Sequence, residues 1–162
     1  MARITNHVVR TVVSLDGTAT CAEAARLMAE RGIGSIGVRA GAKLVGLVTE
    51  RDLLAAVSAG ADPERTPIGR ALPPQLASVP PTATEREAAE AMRNHHTRHL
   101  AVVENGEIVG VISLLDLVEL VVEEKQWSID QLESYIRGGR AAQLSSPLQS
   151  VFTHPHGSGL AA

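Results

Sequence analysis

Short apolar runs alternate along this chain with stretches whose apolar residues recur every third or fourth position, and the whole alternation happens twice. In the first half, Val12-Val13 precedes the turn residues Asp16-Gly17. A helical stripe with Leu27 and Met28 follows and ends at Gly32. Ile36-Gly37-Val38 and Leu44 to Val48 then flank Ala40-Gly41-Ala42, which predicts a hairpin, and Arg51 to Ser58 reads as a second helix. In the second half, Leu76-Ala77 stands before Pro80-Pro81. Leu100 to Val103 and Ile108 to Ile112 flank Asn105-Gly106, the strongest short hairpin signal, and a helix runs over Leu115 to Glu124. Each half therefore reads as strand, helix, strand, strand, helix.

The two halves are copies. Ser14 to Leu54 aligns without a gap on Ser78 to Val118, 64 residues further on, with Glu23-Ala24-Ala25 on Glu87-Ala88-Ala89, Met28 on Met92, Val45-Gly46 on Val109-Gly110 and Asp52-Leu53 on Asp116-Leu117. Thr20 with Glu23 and Thr84 with Glu87 are capping boxes that start the first helix of each copy. The expected fold class is α/β (α+β), two β-α-β-β-α units packed together, because a unit near 60 residues is marginal alone. The expected division is 1–62 for the first unit, 63–74 for a linker with one helical turn at Thr66-Pro67-Ile68, and 75–125 for the second unit. Ser128-Ile129-Asp130-Gln131 reads as a further capping box. It opens a C-terminal helix over 126–139, with Ile129, Leu132 and Ile136 on one face and Gly138-Gly139 as its stop. That stripe suits packing on the chain's own core or across a dimer. Residues 140–162, rich in Ser, Pro, Gly and His, read as a disordered tail.

Composition narrows the function classes. The core must be aliphatic, since the chain holds one Phe, one Tyr and one Trp, all in its C-terminal stretch. A net charge of −3 without a cationic run argues against nucleic acid as a partner. No apolar run reaches the roughly 20 residues that span a bilayer, and the first residues lack a signal-peptide core, so no membrane contact and a cytoplasmic location are expected. A single cysteine, Cys21, agrees with a reducing compartment and reads as a bland small residue rather than a redox switch at a helix start. His95, His96 and His99 have spacings a metal could use, but no Cys or carboxylate joins them, and no metal site is expected.

Candidate chemistry sits where the last strand of each copy enters its helix. These junctions read Gly46-Leu47-Val48-Thr49-Glu50-Arg51-Asp52 and Gly110-Val111-Ile112-Ser113-Leu114-Leu115-Asp116. A hydroxyl and a carboxylate three residues on form a capping box, and they are also what a nucleoside needs. An ionised Asp offers acceptors for ribose hydroxyls, and a helix N-terminus welcomes phosphate.

With the strand Arg98-His99-Leu100-Ala101-Val102, these doubled junctions resemble a stand-alone tandem pair of CBS domains, the cystathionine beta-synthase type regulatory module, over roughly Val8 to Glu124. The resemblance implies a pseudo-two-fold pair that binds AMP, ATP, S-adenosylmethionine or a similar ligand in clefts between the copies, and a homodimer formed through the unit helices. It assigns Asp52 and Asp116 to ribose hydroxyls, and Thr49 and Ser113 to ribose or phosphate. Arg98 and His99, with Arg51 nearby, go to the cleft of Asp52, while the cleft of Asp116 faces Gly34-Ser35 beside Leu114-Leu115. The Asp52 cleft is thus expected to prefer a phosphorylated ligand, and the other a neutral nucleoside or none. Ala101 stands where the family usually carries Pro. The expected function is a non-catalytic regulatory ligand sensor with no obligatory cofactor and an unknown regulated protein. The alternatives are an interaction scaffold with vestigial clefts and a nucleotide-processing enzyme.

Overall fold

The structure is a computed structural model that describes the backbone of residues 3–144 and the side chains of residues 3–136. It divides into two compact units between Glu124 and Lys125. The first unit holds two three-stranded sheets, one per sequence copy. In copy one the elements are β1 (Ser14–Asp16), α1 (Cys21–Arg31), β2 (Ser35–Ala40), β3 (Lys43–Thr49) and α2 (Glu50–Ser58). Copy two repeats them as β4 (Ser78–Val79), α3 (Glu85–Asn94), β5 (His99–Glu104), β6 (Glu107–Ser113) and α4 (Leu114–Leu144). The sheet order is β1-β2-β3 and β4-β5-β6, with the first pair parallel and the second antiparallel in each. Both hairpins carry a register shift at the same repeat position, Val38/Arg39 and Val102/Val103.

Local chemistry explains the boundaries. Thr20 and Thr84 accept from the backbone N–H of Glu23 and Glu87, whose carboxylates accept from the threonine N–H in return. Gly32 closes α1 in the left-handed region at φ 62°, which costs a glycine little. The matching position in copy two is His96 at φ 49°, a residue that pays for that conformation. Ala101, where Pro was the family's usual residue, donates its N–H to the Ala77 carbonyl at 2.9 Å, just as Gly37 donates to Val13 at 2.9 Å. The strand is regular there.

The opening strands lie slightly later than Val12-Val13 and Leu76-Ala77. Only the carbonyls of Val13 and Ala77 reach the neighbouring strands, and the doublets line cavities instead.

The segments that precede each copy are exchanged. Ile68, in a 3-10 turn over Ile68–Arg70, is 0% exposed and packs into the first copy with Cys21, Ala24, Ile36 and Val48. Ile4, in the turn Ile4–Asn6 and 64 residues earlier, is 0% exposed and packs into the second copy with Ala88, Leu100 and Ile112. Their backbones match too, as Ile68 N–H donates to Ala19 and Ile4 N–H to Ala83, at 2.8 and 3.0 Å. Residues 63–74 are therefore held against the first copy, with Cys21 and Ala22 donating to the carbonyls of Thr66 and Pro63.

The C-terminal expectation needs correction. No separate helix begins at Ser128, because α4 runs unbroken from Leu114 to Leu144 and passes Gly138-Gly139. The continuing i to i−4 backbone ladder leaves no free amides at Ser128 to cap, and two glycines weaken a helix without ending it. Leu117 and Leu120 anchor its start in the second copy's core. In the second compact unit, Gln126 donates to Asp130 at 2.9 Å, and Ile129, Leu132 and Ile136 are exposed. Residues 145–162, most of the expected tail, lie outside the described residues.

Candidate functional site

Two cavities open in the first unit, each at the N-terminus of one junction helix. Both Asp side chains first serve as caps. Asp52 Oδ2 accepts from the Thr49 N–H at 2.7 Å and from its hydroxyl at 2.6 Å, and Asp116 Oδ2 accepts from the Ser113 N–H at 2.6 Å. One oxygen of each carboxylate is thereby committed. The other, Oδ1, has no protein partner among the described residues and can accept from a ligand. The two junctions differ in the hydroxyl. Thr49 spends its proton on Asp52, whereas the Ser113 oxygen only accepts, from the Asp116 N–H at 3.3 Å, leaving its proton to donate.

The cavity at Asp52 has a volume of about 130 Å³ and is lined by Thr49, Arg51, Asp52, His96, Arg98 and His99 among others. It brings together the residues expected there, but in a space below the roughly 300 Å³ at which small-molecule pockets begin. Arg51 is also less free than a phosphate ligand would be. Its Nη1 donates to the His96 carbonyl at 2.6 Å and so holds the one left-handed turn among the described residues that lacks a glycine.

The cavity at Asp116 is larger, about 670 Å³, within the range of nucleotide-sized sites. Val9, Val12, Val13, Ile33 and Val111 form an apolar side, while Ser113 and Asp116 offer the free donor and acceptor. Arg98 and His99 line this cavity as well as the smaller one. The expected inequality thus takes a different form, because the two basic residues belong to a wall that both clefts share. Sequence distance hid this, since a side chain near the pseudo-two-fold axis faces two sites at once.

Glu50 and Gly34 complete the shared wall. Glu50 Oε2 lies 3.4 Å from Arg98 Nη2. Gly34 makes room for the imidazole, since a Cβ there would stand 2.8 Å from His99 Cε1. Burial, and then the Arg98 charge, push the His99 pKa below its ordinary 6.5, against weaker opposite pulls from Glu50 and Asp116. His99 is therefore a neutral donor and acceptor near pH 7. Glu50 was not singled out from sequence; its only signal was its place beside Thr49, where the second copy has Leu114. Among the described residues, no three His, Cys, Asp or Glu side chains group as a metal site, and no helix is long and apolar enough to cross a membrane.

Comparison with known proteins agrees with this architecture. The family model for the CBS domain matches twice, over residues 4–59 and 69–123. Both matches begin at the exchanged segments. The CBS domain-containing protein YhcV of Bacillus subtilis is 28% identical over 117 residues, covering 72% of this chain and 84% of that protein. Among solved structures, the CBS-domain containing protein ATU1752 from Agrobacterium tumefaciens superimposes with a TM-score of 0.66 at 27% identity, over 74% of this chain and 98% of that one. The CBS domain protein PAE2072 from Pyrobaculum aerophilum, complexed with AMP, does so with a TM-score of 0.61 at 35% identity, over 75% and 99%. With two family matches that together take up most of its length, this chain belongs to the CBS domain family and carries two such domains in tandem.

Proposed function

We propose that this protein is a regulatory, non-catalytic sensor of an adenosyl ligand of the AMP or ATP class, and that the ligand occupies the Asp116 cleft. The observation that carries the reading is a cleft of about 670 Å³ whose lining holds a free carboxylate oxygen of Asp116 and a free hydroxyl proton of Ser113 together with Arg98 and His99, the latter the cross-strand partner of Ser113. A ribose diol on Asp116 and Ser113 leaves the base against Val9, Val12 and Val13 and turns the 5′ substituent to the shared wall. Asp52, Thr49 and Arg51 take the lesser role, as their cleft admits little beyond a fragment of such a ligand. The AMP complex of PAE2072 supports the ligand class.

The homodimer belongs to the same proposal. Leu54 and Val57 on α2 and their repeat counterparts Val118 and Val121 on α4 are all exposed. Equivalent apolar faces on two helices suit a self-complementary contact with a second copy.

A thermal-shift panel of adenosine, AMP, ATP and S-adenosylmethionine tests the function, because a ligand that binds the native state raises its melting temperature. The reading expects a shift with at least one of them. No shift with any would favour the scaffold, and turnover of the ligand would favour an enzyme.

A further inference from the structure

We propose that Glu50 is a specificity-determining residue of the Asp116 cleft: its carboxylate, uncovered when Arg98 turns to a phosphate, makes the site favour adenosyl ligands with one phosphate over those with three. This rests on the adenosyl reading above and sharpens it to a ligand class.

The charged residues lining that cleft are Glu50, Asp116 and Arg98, with His99 beside them. Two carboxylates against one guanidinium leave the wall with a formal charge of −1 when the imidazole is neutral. A single phosphate can take Arg98 and place little further charge near Glu50. A triphosphate must set additional negative charge against both carboxylates with no second cation among the lining residues to receive it.

The Glu50–Arg98 pair is built to yield to a ligand. It is a single contact at 3.4 Å between side chains that are 71% and 59% exposed, on the arginine and glutamate sides respectively. Such pairs hold weakly, so Arg98 can leave it for a phosphate, which an arginine binds more strongly. Leaving uncovers the carboxylate, and the cost grows with the charge brought in.

The repeat gives an independent reason to assign the pair to ligand selection rather than folding. Features that build the fold are duplicated, as Thr49 and Asp52 are in Ser113 and Asp116. The wall is not duplicated. The counterparts of Glu50, Arg98 and His99 are Leu114, Gly34 and Ser35, so the fold forms its other half without these charges.

The test is isothermal titration of the full-length chain with AMP and with ATP, magnesium chelated, for the native protein, Glu50→Gln and Glu50→Lys. The native protein should bind AMP more tightly than ATP. Glu50→Gln should shift the ATP-to-AMP affinity ratio about fivefold toward ATP, since it removes the repulsion between the uncovered carboxylate and the added phosphates, an exposed charge–charge interaction worth about 1 kcal/mol. Glu50→Lys should carry the ratio further in the same direction. Because the readout is a ratio within one variant, a general loss of fold does not imitate it. Tighter native binding of ATP, or a ratio that neither substitution moves, overturns the assignment of Glu50 and leaves the adenosyl reading standing. No binding of either nucleotide by the native protein overturns both.

Discussion

Replacing Asp116 by Asn separates the two duties of that side chain. The cap survives, because the amide oxygen can still accept the Ser113 N–H that Asp116 Oδ2 now takes at 2.6 Å. The atom that then faces the ligand is an NH2 donor in place of a carboxylate acceptor. A hydrogen bond to a charged group contributes about 1.5–3 kcal/mol and a neutral one about 0.5–1.5. The loss should be about 1–1.5 kcal/mol, or roughly five- to tenfold in affinity. Adenosine is the ligand to use, since with a phosphate the removal of a carboxylate near Arg98 would strengthen binding and mask the loss. Asp52→Asn makes the same chemical change at a cap that likewise accepts a backbone N–H, that of Thr49 at 2.7 Å, at a cleft of about 130 Å³. Titration calorimetry should find it within twofold of the native protein. Equal affinity for Asp116→Asn and the native chain would refute the role of Asp116. A fivefold loss confined to Asp52→Asn would return the ligand to the smaller cleft.

Three further outcomes are expected. Ile4→Ala and Ile68→Ala should each cost about 2–5 kcal/mol in urea unfolding, as both side chains are fully buried; a loss below 1 kcal/mol at either would mean that its exchanged segment does not hold the core. The chain should lose stability as pH falls through and below 6.5. His99, whose pKa lies lower in the fold through burial and Arg98, takes up its proton first in the unfolded chain, so the benefit is complete above that range. Melting temperatures from pH 7.5 to 5.5 should fall less in His99→Gln, and an identical slope would remove His99 as the source. Light scattering should find a dimer that survives truncation after Glu124 and is lost in the double variant Leu54→Glu, Val118→Glu; the reverse pattern would move the contact to the helix beyond Glu124.

The duplicated unit was legible because its signals are local. A Thr with Glu three residues on, or Asn-Gly between β-branched runs, specifies its own backbone whatever surrounds it. The exchanged segments were not, although Arg3-Ile4 and Pro67-Ile68 keep the 64-residue register. A single isoleucine in a polar stretch has no period, and it takes the fold, through its core packing and its bond to the carbonyl of Ala19 or Ala83, to show which copy it serves. The Ser128 box failed for the opposite reason. A capping pattern is informative only where the preceding turn is broken, and Glu124 to Trp127 contains nothing to break α4.

The clefts show where a repeat misleads. Alignment pairs residue with residue and so assigns each to one copy and one site, which made Arg98 and His99 the property of Asp52. Two-fold packing sets the strand starts of both copies side by side, and a long side chain there belongs to both crevices. The useful signal was the set of positions at which the copies disagree. Glu50 against Leu114, Gly34 against Arg98 and Ser35 against His99 are three such disagreements, and all six residues line one or both clefts. Duplication supplies the frame twice over; divergence near the axis is what can make one of two equivalent crevices a site, and that divergence is written in the sequence even where its geometry is not.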